Sequence, residues 1–146
     1  MTVDATIEEL AARLQPLGWS LEAVQLGVRA NFCCEYCDTD LLSTVVNYDS
    51  WQRDHVVAVA RLGRDHIDNL AVACKFCNFL KRHTRTTDVF DVSNRQDAVN
   101  ATRKLIHERR AIKQRRLDQV VEIINASGLR KRSSPPNTSF ERTREG

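Results

Sequence analysis

The sequence lacks any apolar run approaching the roughly 18 residues that a bilayer span needs. Its first twenty residues carry Asp4, Glu8 and Glu9 where a secretory leader would have a basic stretch followed by an apolar one. It also lacks the length for two catalytic domains: 146 residues at 42% hydrophobic content suffice for one modest core. These absences lead to the expectation of a cytoplasmic protein with no membrane partner. Cysteines are few, and an odd number remains. Four of the five form Cys34-x-x-Cys37 and Cys74-x-x-Cys77, a pattern suited to metal binding under reducing conditions rather than to a disulfide framework. Cys33 is the one left over, expected as a small buried apolar side chain.

Positive charge is scarce in the first half and abundant in the second. Residues 1–64 hold 5 basic and 9 acidic side chains, whereas residues 65–146 hold 17 and 10, for a net +3 overall. A basic surface of this kind concentrates a polyanion, and nucleic acid is the commonest large one. A solvated basic face without a partner fits the charge equally well.

Along the chain, Ile7, Leu10, Ala11 and Leu14 recur at helical spacing behind a Thr6/Glu9 capping box, and Pro16 and Gly18 end that helix. Ser20 caps a second helix, with Leu21, Val24 and Val28 on one face, running to about Ala30. Residues 31–42 hold the first thiolate pair in a turn. The β-branched stretches Thr44–Tyr48 and Asp54–Val59 read as a short antiparallel hairpin. A polar loop follows over Ala60–Asp68, then the second thiolate pair, then a helix from Asn78 to about Thr84. Ser93-Asn94-Arg95-Gln96 opens a long helix that Gly128 closes after Ser127. Its apolar stripe is incomplete and its middle is crowded with Arg and Lys, which leaves a second copy pairing through this helix as a partner to consider. From Leu129 onward there is little to bury, so residues 129–146 read as a disordered basic tail. The division expected is N-terminal helices over 1–30, a zinc-stabilised core over 31–86, a long basic helix over 87–128, and the tail.

Four thiolates with no open position describe structural zinc, against the alternative of buried or redox thiols. The 36 residues between the pairs are enough to hold a hairpin and loop that carry Asp54, His55 and Asn69. Asn78 directly follows Cys77, so the pinned sulfur confines that amide beside the zinc framework. A hard cation, Mg²⁺ or Mn²⁺, prefers oxygen ligands, which Asp54 and Asn78 would supply. His55 can take a proton from an attacking water near neutral pH, and Asn69 can orient its ring. On an ideal strand Asp54 and His55 point to opposite faces, which the strand must resolve by ending or twisting there. Lys81, Arg82 and Arg85 follow as candidate phosphate contacts, or as simple helix solubility.

These residues resemble the HNH endonucleases in their four-cysteine zinc form: Cys34-x-x-Cys37, Asp54-His55-Val56-Val57, Asn69-Leu70, then Cys74-x-x-Cys77-Asn78-x-x-Lys81, in order. The resemblance covers roughly residues 29 to 83. It implies an α+β fold with a small ββα-metal core, of His-Me finger or treble-clef-like shape, flanked by the N-terminal helices and the long C-terminal helix. It also implies phosphodiester hydrolysis in DNA, with His55 as general base, Asp54 and Asn78 as ligands of the catalytic cation, and Asn69 orienting the histidine. Two positions depart from the family pattern: Ala58 stands where proline is usual, and Leu62-Gly63 where Gly-Gly is usual. Both bear on loop shape and substrate fit. The rival reading is a non-catalytic zinc module that binds nucleic acid through the same basic surface.

Overall fold

The computed structural model describes residues 5–57, 65–82 and 94–131. They divide into two units, residues 1–111 and 112–146. In the first, α1 (Ile7–Leu14) begins with the expected reciprocal cap: Glu9 N–H donates to Thr6 Oγ1 at 3.1 Å and Thr6 N–H to Glu9 Oε2 at 3.0 Å. A 3₁₀ turn with Pro16 near its start ends at Gly18, whose φ of 91° is the left-handed conformation that glycine adopts without a Cβ penalty. Ser20 Oγ then accepts from Ala23 N–H and opens α2 (Leu21–Arg29). Gly27 has a packing reason: a Cβ there would lie 2.6 Å from the Phe32 ring, which folds back over α2.

Thr44–Tyr48 is not a strand. Thr44 Oγ1 accepts from Asn47 N–H at 3.0 Å and caps a short helix, α3 (Val45–Asp49). Val45 and Val46 remain 76% and 78% exposed, so their β-branched side chains gain no buried face as a strand would require, and the local cap decides the conformation. The strand falls earlier than expected, at β1 (Trp51–His55), and pairs antiparallel with β2 (Leu70–Cys74). Its register sets Gln52 against Ala73, Asp54 against Ala71 and His55 against Leu70. β2 wins this pairing because Leu70, Ala71, Val72, Ala73 and Cys74 are all buried, giving the sheet its apolar centre. Val72 is also held from the first thiolate turn: Glu35 N–H donates to its carbonyl at 2.8 Å, and Glu35 Oε2 accepts from its N–H at 2.7 Å.

α4 (Lys75–Arg82) starts directly after β2, three residues before the expected Asn78. An aromatic cluster joins the N-terminal helices to β1, with Trp19 edge-on to Trp51 at 5.2 Å and its indole N–H donating to Tyr48 Oη at 2.9 Å. α5 (Arg95–Ser127) has Asn94 at its start, whose Oδ1 accepts from Gln96 N–H; the expected Ser93 lies outside the described residues. Ala98, Val99, Thr102 and Ile106 of α5 are buried in the core, and the Thr102 hydroxyl is satisfied by the Ala98 carbonyl at 2.8 Å. Burying a residue such as Ile106 contributes about 1.5–3 kcal/mol. Cys33, expected in the core, is only half-buried, with its thiol near the Asn31 carbonyl.

In the second unit the helix continues to Ser127 and ends at Gly128, φ 70°, as expected. Leu117, Val120 and Ile124 are exposed there. The described residues thus form a mixed α+β fold: a two-stranded antiparallel sheet, a four-cysteine cluster, and helices before and after it. This is the layout of a small ββα-metal core with a long C-terminal helix.

Candidate metal centre and strand-end site

The first thiolate turn is shaped by its backbone. Cys34 N–H donates to the Thr39 carbonyl at 2.9 Å and Asp38 N–H to the Cys34 carbonyl at 2.8 Å, with Asp38 in the left-handed region at φ 64°. The second pair closes the site from the end of β2 and the first turn of α4, where Cys77 N–H donates to Cys74 Sγ at 3.4 Å. All four sulfurs lie within 4.8 Å of one another. A tetrahedral zinc–thiolate centre has sulfur–sulfur edges of about 3.8 Å, and Cys37 and Cys74 stand at 3.8 Å. Four soft donors at this spacing fit a structural metal such as zinc.

Two groups temper the charge of this cluster: the Thr39 hydroxyl 3.1 Å from Cys37 Sγ, and the Arg110 guanidinium 3.6 Å from Cys77 Sγ. Between themselves the thiols share protons unequally. Hydrogen bonding with Cys34 holds Cys37 far below the ordinary thiol range and Cys74 at about 6. Contact with Cys37 pushes Cys34 up, and contact with Cys34 pushes Cys77 up. A metal binds all four as thiolates, so its binding displaces whatever protons the cluster holds.

Beside the cluster, Tyr36 sits within the first Cys-x-x-Cys and is only 4% exposed. Burial, and then the neighbouring Asp54 carboxylate, push its hydroxyl well above the usual phenol range. The neutral hydroxyl donates to Asp54 Oδ2 at 2.6 Å. Lys81 reaches back from α4 and donates to the same oxygen, also at 2.6 Å, as well as to the His55 carbonyl. The Lys81 and Asp54 side chains are 8% and 11% exposed, and the ammonium lies 5.7 Å from the centre of the Tyr36 ring. Two positions back on β1, Gln52 Oε1 accepts from the Asn78 amide. Gln52 and Asp54 thus share the face of β1 turned toward α4, as the two-residue period of a strand requires.

The odd-numbered residues take the other face. Asp65 Oδ1 receives Arg53 Nη2 at 2.8 Å and lies 2.9 Å from His55 Nε2, while Arg53 Nε also pairs with Glu22 at 2.6 Å. Hydrogen bonding to His55, and then to Arg53, holds the Asp65 carboxyl below the usual carboxylate range. β1 stops at His55, and the chain bends at Val56 and Val57. Asn69 fixes that bend: its Oδ1 accepts from Val57 N–H and its Nδ2 donates to the Val57 carbonyl, each at 2.9 Å.

Of the expected site residues, Asp54 and Asn78 both meet the β1 face turned toward α4, Asp54 through its contacts with Lys81 and Tyr36 and Asn78 through Gln52. His55 is carried on the opposite face at the strand end, and the Asn69 amide grips the backbone just beyond it. Lys81, expected at a phosphate, is turned inward; a buried ammonium paired with a carboxylate is not presented to a polyanion. The Arg82 side chain, Arg85 and the positions that depart from the family pattern, Ala58 and Leu62-Gly63, lie outside the described residues. Arg103 and Arg109, which sequence places in a basic crowd, are spent internally. Arg103 clamps Asp38 at 2.7 Å and the Glu35 carbonyl at 2.7 Å, and Arg109 donates to the Leu80 carbonyl at 2.6 Å.

Tyr36, Gln52, Arg53 and Asp65 were not found from sequence. Gln52 lies before the strand expected at Asp54–Val59 and shares a face with Asp54 only because β1 begins at Trp51. Asp65 carries no local signal, because its role depends on where a loop returns. No curated protein and no solved structure matches the chain. The family model described as HNH endonuclease matches residues 34–84, a span running from the first zinc-site cysteine past Lys81. The match marks residues 34–84 as an HNH endonuclease domain by sequence pattern, and the four cysteines positioned to bind a metal ion are consistent with its zinc-binding form.

Proposed function

We propose that this chain is a metal-dependent endonuclease that hydrolyses phosphodiester bonds in double-stranded DNA, with His55 as the general base. The observation behind this is the end of β1, where an oriented histidine directly follows a largely buried carboxylate. Asp65 is ionised at neutral pH and can only accept hydrogen bonds, so Nε2 of a neutral His55 carries the proton and Nδ1 the lone pair. That leaves Nδ1 as the atom to take a proton from water. Among the described residues the ring is held at Nε2 by Asp65, and its side chain is 28% exposed, enough for water to reach it.

A carboxylate beside two side-chain amides is a hard, oxygen-rich set, which fits Mg²⁺ or Mn²⁺. Asp54 and Asn78 would hold such an ion, and when bound it supplies positive charge against that developing on the phosphate. Asn69 keeps the strand end from fraying, so that His55 stays in place. The excess of basic residues after residue 64, including the tail, supports binding to the DNA backbone. Leu117, Val120 and Ile124, exposed at i, i+3 and i+7, support pairing with a second copy. Four free zinc-site thiols fit a reducing compartment, so the cytoplasm is the location in this reading.

The test is nicking of supercoiled plasmid by the zinc-loaded protein, with Mg²⁺ or Mn²⁺ and with EDTA. Cleavage that depends on the added cation supports the reading. Tight DNA binding with no cleavage under any cation would favour the non-catalytic zinc module instead.

A further inference from the structure

Asp54 Oδ2 already carries two donors at 2.6 Å, the Tyr36 hydroxyl and the Lys81 ammonium. A neutral hydroxyl can stay when a cation arrives at the carboxylate, but an ammonium cannot. Both positive charges would sit within a few ångströms on one largely buried carboxylate, with little water to screen them. Lysine is suited to leaving. Its charge is compact and its four-carbon stem is flexible.

We propose that Lys81 is a built-in competitor for the divalent cation at Asp54: it neutralises the carboxylate before the ion binds and must withdraw for the ion to bind. The proposal rests on the reading of Asp54 as a cation ligand. It has a second consequence, because the same ammonium also donates to the His55 carbonyl. Withdrawal therefore releases the backbone of the proposed base in the same event that charges the site with metal. Before binding, the carboxylate is never buried without a counter-charge, so folding around zinc does not need the second ion. Lys81 thereby lowers cation affinity and ties metal binding to the setting of the strand end.

The experiment is Mn²⁺ binding to the full-length, zinc-loaded chain at pH 8, followed by calorimetry, for the parent, Lys81→Met, Lys81→Arg and Asp54→Asn. Lys81→Met should bind Mn²⁺ at least about tenfold more tightly than the parent, because the competing charge is gone while the stem is kept. Lys81→Arg should stay close to the parent, and Asp54→Asn should abolish saturable binding. Lys81→Met that binds no more tightly, in protein where Asp54→Asn still abolishes binding, overturns the role of Lys81 alone. Binding that survives Asp54→Asn overturns the assignment of Asp54 as a ligand, and the proposal with it. Should Lys81→Met not fold with its zinc, the parent decides the matter by amine acylation with peptide mass analysis. Labelling of Lys81 should rise several-fold when Mg²⁺ is added, and labelling that Mg²⁺ leaves unchanged contradicts withdrawal.

Discussion

Replacing Tyr36 with phenylalanine removes one oxygen and leaves the packing of a buried ring unchanged. That oxygen belongs to the hydroxyl that donates to Asp54 Oδ2 at 2.6 Å. A hydrogen bond to a charged group contributes about 1.5–3 kcal/mol, and Asp54 is too buried for water to replace it freely. Tyr36→Phe should therefore destabilise the zinc-loaded protein by about 1.5–3 kcal/mol. In urea this appears as a lower midpoint with an unchanged slope, because the surface exposed on unfolding is the same. The pH dependence supplies a sign. Folding raises the Tyr36 pKa, so its stabilising effect is fully present below the unfolded value of about 10 and is lost as pH rises past it. Above pH 10 the parent should lose stability more steeply than Tyr36→Phe. A double-mutant cycle with Asp54→Asn isolates the pair. A destabilisation under about 0.5 kcal/mol, with no coupling in the cycle, would refute the buried network around Asp54.

Cys77→Ser should lose zinc and unfold the first unit, since structural zinc contributes about 10–16 kcal/mol of apparent binding energy, comparable to or above a typical domain's whole stability of about 5–15 kcal/mol; metal analysis and circular dichroism check this. Because zinc binds thiolates, zinc uptake by the metal-free protein should release protons, and zinc affinity should fall as pH is lowered; dye-monitored titration measures both. Asn69→Ala removes both hydrogen bonds to Val57, so it should cost about 1–3 kcal/mol in urea and reduce cleavage more than DNA binding. Removing residues 129–146 should weaken DNA binding and flatten its salt dependence while zinc content stays the same, as read by fluorescence anisotropy.

What the sequence makes legible here is local. The Thr6–Glu9 box, the Ser20 cap and the Gly128 terminus are each decided by chemistry within a few residues, and all three occur where expected. The thiolate pairs are legible for a similar reason, since spacing alone makes each pair a two-ligand turn. At Thr44–Tyr48 two local signals compete, and β propensity loses to a cap when no sheet face is available. The site is legible in its residue types but not in its pairings. Whether Lys81 faces a phosphate or Asp54 depends on how α4 crosses β1, which nothing between residues 78 and 81 encodes. Asp65 meets His55 and Arg53 only because of how the chain returns toward β2.

The role of His55 as the base is tested by His55→Ala in the plasmid nicking assay with saturating Mg²⁺. A positioned base contributes about 10²- to 10⁴-fold to rate, whereas zinc is held by thiolates and DNA by cationic side chains elsewhere. Cleavage should fall by at least about 10²-fold while zinc content and DNA affinity remain those of the parent. Cation-dependent cleavage by His55→Ala at the parental rate would contradict that role.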